Sequence, residues 1–244
     1  MSDSDPADFY TGLVAELYAP LRSFTSDPSE YAAFVRSSGE PALELGCGDG
    51  DPLLDLVALG LDVDGVDSSA DMLDRLRASA DARGLSVMVH QQRMEDLDLP
   101  RRYRSIYLAG ATFTLLPDDE AALSALRAIH AHLTDDGTAL VPLFVPGPTP
   151  ASQVGVFREV TTGGTVLRVA VVDEELDLVA RTRRTSLRYE RWVDGSVEVA
   201  ERVWLLHWYS WAGFEALAAQ AGLVAATVVD PDDPSAATVT LRRA

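Results

Sequence analysis

Leu43-Glu44-Leu45-Gly46-Cys47-Gly48-Asp49-Gly50-Asp51-Pro52 is the stretch from which the rest of the chain can be read. It begins as a short apolar run of the kind that makes a buried strand, and three glycines follow at alternate positions. Glycines so spaced let a ligand lie directly against the backbone. Asp51 as N-cap and Pro52 at the first helical position predict that a helix opens next, with Leu53, Leu54, Leu56 and Val57 on its apolar face. A helix N-terminus behind a glycine turn ordinarily suits phosphate. Here Glu44 precedes the first glycine and Asp49 and Asp51 crowd the turn, a charge pattern that disfavours a pyrophosphate and suits a ligand with an ammonium or other cationic centre.

Outward from this turn the pattern alternates. Short strand candidates at Asp62 to Val66, Ser86 to His90 and Ile106 to Leu108 are separated by a helical stretch from Ala70 to Ala82. A helix from Asp118 to Leu133, with Leu123, Leu126, Ile129 and Leu133 on one face, leads to a strand from Thr138 to Val145. Alternation at these spacings predicts an α/β fold with a mostly parallel sheet flanked by helices. Upstream, helices at about Asp8 to Leu21 and Glu30 to Ser37, joined by a loop from Ser23 to Ser29, make residues 1–40 a helical cap. After Pro150 the texture changes. Residues 153–207 are rich in Val, Thr, Arg and aromatics, with turn signals at Gly163-Gly164 and Asp194-Gly195, and read as antiparallel hairpins forming a small β lid inserted after the fifth strand. The alternation returns in a helix from Ser210 to Ala221, stopped by Gly222, and two strands at Val224 to Val229 and Thr238 to Leu241. Residues 1–244 are accordingly expected to form one domain, with the ligand at the carboxyl ends of the strands.

The second chemical element is Asp67, at the end of Val63-Asp64-Gly65-Val66 and about 20 residues beyond the glycine turn, where an acid can accept both hydrogen bonds of a ribose diol. With Asp67 in place, the sequence resembles the class I S-adenosylmethionine-dependent methyltransferases, small-molecule branch. Glu44-x-Gly46-x-Gly48-x-Gly50 matches the first motif of that family, and Val66-Asp67-Ser68-Ser69-Ala70-Asp71-Met72-Leu73 matches the second. Arg93-Met94-Glu95-Asp96-Leu97 sits where the third motif contacts adenine. The family often has Asp at the place of Arg93, which leaves that contact to the backbone at Met94. Leu133-x3-Gly137 resembles the approach to the fifth strand. The likeness covers Pro41 to Val145 closely and Trp208 to Leu241 more loosely.

The resemblance implies a Rossmann-like sheet of seven strands, the last antiparallel, and S-adenosyl-L-methionine as cofactor. Glu44, Gly46, Cys47, Gly48 and Gly50 would hold its methionine end and Asp67 its ribose, with Ser68, Met72, Arg93, Met94, Glu95, Tyr18 and Ala109 completing the site. It further implies an acceptor pocket between the N-terminal helices and the lid, for which Tyr10, Thr112, Phe113, Phe144, Arg158 and Tyr209 are candidates. His207, in Leu205-Leu206-His207-Trp208-Tyr209, is the candidate catalytic base for a hydroxyl or protonated amine on N or O. The segment Ala109 to Leu116 lacks the carboxamide motif of enzymes that methylate nucleic-acid or protein amides.

Composition narrows the classes. The chain has 244 residues, 47% hydrophobic and 24% charged, as an ordinary globular protein does. Its formal net charge of -18 would repel a nucleic-acid backbone. All 20 basic residues are Arg, which excludes lysine chemistry. Cys47 is the sole cysteine, a small packing residue in the loop, and neither Cys nor His is arranged for a metal site. His130 and His132 are expected to face solvent and His90 to end a strand. The acidic start Met1 to Pro6 is unlike a signal peptide, and no apolar run is long enough to span a membrane, so a cytoplasmic protein is expected. The Arg-rich segment Arg181-Thr182-Arg183-Arg184 to Arg188 and Arg191 is open to two readings, a site for an anionic substrate such as a nucleotide-linked sugar or, as expected, exposed Arg paired with Glu190, Glu198 and Glu201 across a hairpin. The protein is expected to be a monomer or a homodimer through the lid.

Two other readings share the glycine turn. A nicotinamide-dependent oxidoreductase would have Gly-x-Gly-x-x-Gly, whereas these glycines alternate and position 51 is Asp. A non-catalytic cofactor-binding or interaction protein would keep the fold without the reaction. Assays on small amines, alcohols and acids separate it from an enzyme.

Overall fold

The strand that runs into the glycine turn, β1 (Ala42–Leu45), is wholly buried and pairs in parallel with β2 (Val63–Asp67) on one side and β4 (Tyr103–Tyr107) on the other. The computed structural model describes residues 8–22 and 25–244; the acidic start of the chain and Ser23 and Phe24 of the expected loop lie outside them. Beyond β2 comes β3 (Val89–Gln91), and beyond β4 come β5 (Leu133–Phe144), β11 (Ala236–Arg243) and β10 (Leu223–Val229). Only β11 is antiparallel to its neighbours β5 and β10. The chain therefore leaves β1 toward β3 and then crosses to β4 and β5. This reversal opens a crevice at the carboxyl ends of β1 and β4, where open sheets bind ligands.

Helices α2 (Pro28–Ser38), α3 (Leu53–Ala58) and α4 (Ala70–Arg83) share one apolar cluster with Ala42, Val63 and Tyr107. On the other face α5 (Asp119–His132) and α6 (Trp211–Gln220) pack against Leu43, Leu45 and Ile106. Each fully buried Leu contributes roughly 1.5 to 3 kcal/mol relative to exposure. Local chemistry sets the helix starts. Ser69 accepts the Met72 N–H, Asp118 the Ala121 N–H and Ser210 the Gly213 N–H. Asp51 does not cap α3 as expected; its carboxylate is drawn to Arg22 at 2.6 Å, and Pro52 takes the N-cap position without a side-chain bond.

The lid is a four-stranded antiparallel meander of β6 (Arg158–Thr162), β7 (Thr165–Asp177), β8 (Thr182–Val193) and β9 (Ser196–His207). Its hairpins turn at Gly163-Gly164 and Asp194-Gly195, all four residues at positive φ as two-residue hairpins require. Arg188 pairs with Glu201 and Arg191 with Glu198 across the β8–β9 hairpin as expected, whereas Glu190 meets Arg188 along the same strand rather than across the hairpin. Helix α1 (Leu13–Leu21) starts later than the sequence suggested, because Gly12 has φ 55° and its N–H is taken by Asp71 at 2.6 Å. Leu13, Val14, Leu17 and Leu21 then bury against Leu167 and Tyr189 of the lid. His132 is buried rather than solvent-facing: Nε2 accepts the Leu99 N–H at 3.2 Å. His90 lies within β3, not at its end. No helix among the described residues is long and apolar enough to cross a membrane.

Candidate functional site

The glycine turn and Asp67 meet at the end of the crevice. Asp67 Oδ2 accepts the Gly48 N–H and Oδ1 the Ser69 N–H, both at 2.8 Å, which fastens the turn to the start of α4. Burial raises the Asp67 pKa against the pull of these backbone bonds. A carboxylate has about four lone-pair sites, so two remain for a ligand. Gly46 has φ 73°, and a Cβ there would run into the methyl of Thr112, which follows β4. The Ser69 hydroxyl donates to the Tyr10 carbonyl at 2.5 Å, bringing Tyr10 and Tyr18 over the turn with their rings edge to face at 5.4 Å.

Two cavities share this wall. The smaller, about 150 Å³, is lined by Asp67, Ser68, Met72, Gln92, Arg93, Met94 and Glu95. The larger, about 740 Å³, runs from Cys47 and Ala109 up to Phe144, Arg158, Tyr189 and Trp204. Tyr10, Tyr18, Gly46, Gly48, Thr112 and Leu115 line both. The junction is thus made of two glycines, two tyrosines, a hydroxyl and a leucine.

Several expected site residues stand elsewhere. Glu44 and Gly50 line neither cavity. Glu44 is fully buried beneath the turn, where Oε2 accepts the Tyr107 hydroxyl at 2.8 Å and Oε1 has no hydrogen-bond partner among the described residues. Burial, opposed by the Tyr107 bond and reinforced by Asp51, Asp67 and Asp49, pushes its pKa up to about 8. Gly50 serves packing: a Cβ there would meet Leu54 at 2.8 Å. Phe113 and Tyr209 are core residues packed on Phe214, not pocket walls. His207 also lies outside both cavities. Its Nδ1 is 3.0 Å from the Tyr209 hydroxyl and its Nε2 3.7 Å from Asp119, so it ties the lid to α5 and is not placed to act as a base.

A family described as a methyltransferase domain matches residues 42–137. Over 174 residues, 68% of this chain and 67% of the relative, the sequence is 29% identical to dTDP-3-amino-3,6-dideoxy-alpha-D-glucopyranose N,N-dimethyltransferase of Streptomyces fradiae. Among solved structures, the CcbJ methyltransferase of Streptomyces caelestis superposes with a TM-score of 0.68 at 28% identity, covering 89% of this chain and 95% of that one. The sugar N-methyltransferase KedS8 of Streptoalloteichus shares the fold, with a TM-score of 0.75 at 22% identity over 96% and 94% of the two chains. The matched domain and these relatives mark the chain as an S-adenosylmethionine-dependent methyltransferase. S-Adenosylmethionine is its cofactor.

The cavities of the methyltransferase are also lined by residues that its sequence did not single out. Arg22, just past α1, reaches Asp51 at 2.6 Å and Asp49 at 3.6 Å and lines the large cavity beside the glycine turn. It faces that turn only because α1 folds over it, a long-range placement with no local signal. Gln92 in the small cavity and Trp204, Thr149 and Thr185 in the large one were missed for the same reason, while Arg183 of the Arg-rich segment does line the large cavity.

Proposed function

We propose that this methyltransferase methylates the amino nitrogen of a small molecule enclosed between the glycine turn and the lid. The observation that carries the reading is the lining of the large cavity. Among the described residues it contains no His, and its only carboxylates, Asp49 and Asp51, are bound by Arg22. A hydroxyl acceptor would need a base, whereas a neutral amine needs only its lone pair and correct placement. The relatives named for sugar N-methylation and N,N-dimethylation support the same reading.

Asp67 would hold the ribose, Met94 and its neighbours the adenine, and Gly46 and Gly48 the methionine chain, whose carboxylate would meet Arg22 and whose ammonium would meet Asp49. When bound, S-adenosylmethionine supplies an electrophilic methyl carbon on a sulfonium. The rings of Tyr10 and Tyr18 face that position and suit a cation. The glycine turn and Thr112 fix its distance from the acceptor. After transfer the new ammonium loses its proton to water. The exposed Val197 and Val199 of β9 offer the lid edge to a second copy, and light scattering separates dimer from monomer.

Calorimetric titration with S-adenosylhomocysteine, with NADH as control, tests the cofactor site. An assay of small amines against matched alcohols then tests the acceptor. Methylation of amines alone is expected; alcohols methylated equally well would overturn the nitrogen assignment.

A further inference from the structure

The lid wall of the large cavity carries a polar cluster that methyl transfer itself does not use. Glu174 stands behind it, accepting the Thr149 N–H at 2.7 Å, the Thr149 hydroxyl at 2.7 Å and the Thr185 hydroxyl at 3.2 Å. Burial acts to raise the Glu174 pKa, but the Thr149 donors, the Arg183 charge and Thr185 outweigh it and hold the carboxyl below its usual range. An ionised carboxylate only accepts, so both threonine protons point back to it. What the hydroxyls of Thr149 and Thr185 can still offer the cavity they line is therefore acceptor capacity alone. Arg183 Nη1 donates to the Gly147 carbonyl at 2.7 Å, with Nε 3.9 Å from Glu174, so its charge is matched while other donors of its fork remain. Thr149, Arg183, Thr185 and the neighbouring Trp204 line the large cavity and not the small one.

Acceptors whose protons are spent, set beside a donor that cannot accept, match groups that both donate and accept. Hydroxyls do so. A phosphate or carboxylate only accepts, and would face two threonine oxygens with Glu174 behind them. Arg22 is likewise matched by Asp49 and Asp51. Exposed Arg158, which forms no ion pair among the described residues, is left to meet a single negative charge. We propose that this wall binds vicinal hydroxyls of an uncharged sugar ring, so that the acceptor is an amino sugar presented as a neutral glycoside rather than as a nucleoside diphosphate ester. The proposal rests on the small-amine reading above.

The test is calorimetry on the whole protein saturated with S-adenosylhomocysteine, titrated with a methyl 3-amino-3-deoxyglucopyranoside and, separately, with thymidine diphosphate. The glycoside is expected to bind and the diphosphate not. Replacing Thr149 and Thr185 together by Val should weaken the glycoside about tenfold or more while leaving S-adenosylhomocysteine affinity unchanged, and Ser at both positions should restore it. Thymidine diphosphate binding as tightly as the glycoside, a glycoside indifferent to the Val pair, or neither probe binding would each overturn the inference. If neither probe binds while amines are still methylated, the function proposed above survives alone. Failure of S-adenosylhomocysteine itself to bind would remove both.

Discussion

Each oxygen of the Asp67 carboxylate spends one lone pair on the backbone, and in the proposed site the other would take the ribose diol. Asp67→Ala should therefore weaken S-adenosylhomocysteine by roughly 100-fold or more, since two charge-assisted bonds at about 1.5 to 3 kcal/mol each are lost. Calorimetry showing unchanged affinity would remove Asp67 from the site. Gly46→Ala should abolish binding through the clash with Thr112 and the positive φ, and Thr112→Ser, which removes the offending methyl, should recover part of it in the double variant. Glu44 yields a pH prediction. Its folded pKa, near 8, lies above the ordinary carboxyl value, so the stability it contributes is full below the unfolded pKa and is lost as pH rises toward 8. Glu44→Gln should raise the melting temperature at pH 8, by up to a few kcal/mol of stability, and the gain should vanish near pH 4; a gain equal at both pH values would refute the buried-proton account. The motif letters located the turn but not which of its residues line the cavities. Strand alternation puts Glu44 on the opposite face from Leu43 and Leu45, and that local signal could have set it apart from the glycines.

Among elements, the lid was the most and the least legible. Its hairpins were readable because two-residue turns demand positive φ, and its Arg and Glu pairs because cross-strand neighbours follow from register. Which lid side chains face the cavity was not, since that depends on how the meander folds back over α1, more than a hundred residues away in the chain. His207 illustrates the difference. A histidine in an aromatic run at the end of the lid looked like a base, yet it is engaged by Tyr209 and Asp119, and Asp119 in turn by Arg181, joining β9 to the start of α5. Burial, with Arg181 nearby, lowers its pKa against the opposing pull of Asp119 and Asp118. His207→Ala should cost about 1 to 3 kcal/mol of stability, roughly 3 to 10 °C in melting temperature, while kcat for methyl transfer stays within about twofold. A collapse of kcat in a variant that melts normally would restore the histidine to catalysis.

At the scale of the molecule, a mostly parallel seven-stranded sheet with its last strand antiparallel was implied by alternation and by family likeness together, because parallel strands joined by helices have few ways to connect, whereas the order β10-β11-β5-β4-β1-β2-β3 and the reversal beside β1 are read from the structure. The net charge of -18 contributes nothing to that order and acts on partners. The glycine turn alone left nicotinamide as a rival ligand; two cavities meeting at Gly46 and Gly48, with acids and Arg22 beside the turn, favour a zwitterionic amino-acid tail over a pyrophosphate. A ligand bound only by the folded state adds about 2.7 kcal/mol at one hundred times its dissociation constant. For a chain of this size that corresponds to roughly 5 to 10 °C in melting temperature. S-Adenosylhomocysteine should produce such a shift, NADH at the same concentration none, and Asp67→Ala should lose the shift at the ligand concentration that stabilises the parent chain. An equal shift from NADH would mean that the turn accepts a pyrophosphate despite Asp49 and Asp51, and that the assignment of its methionine end is wrong.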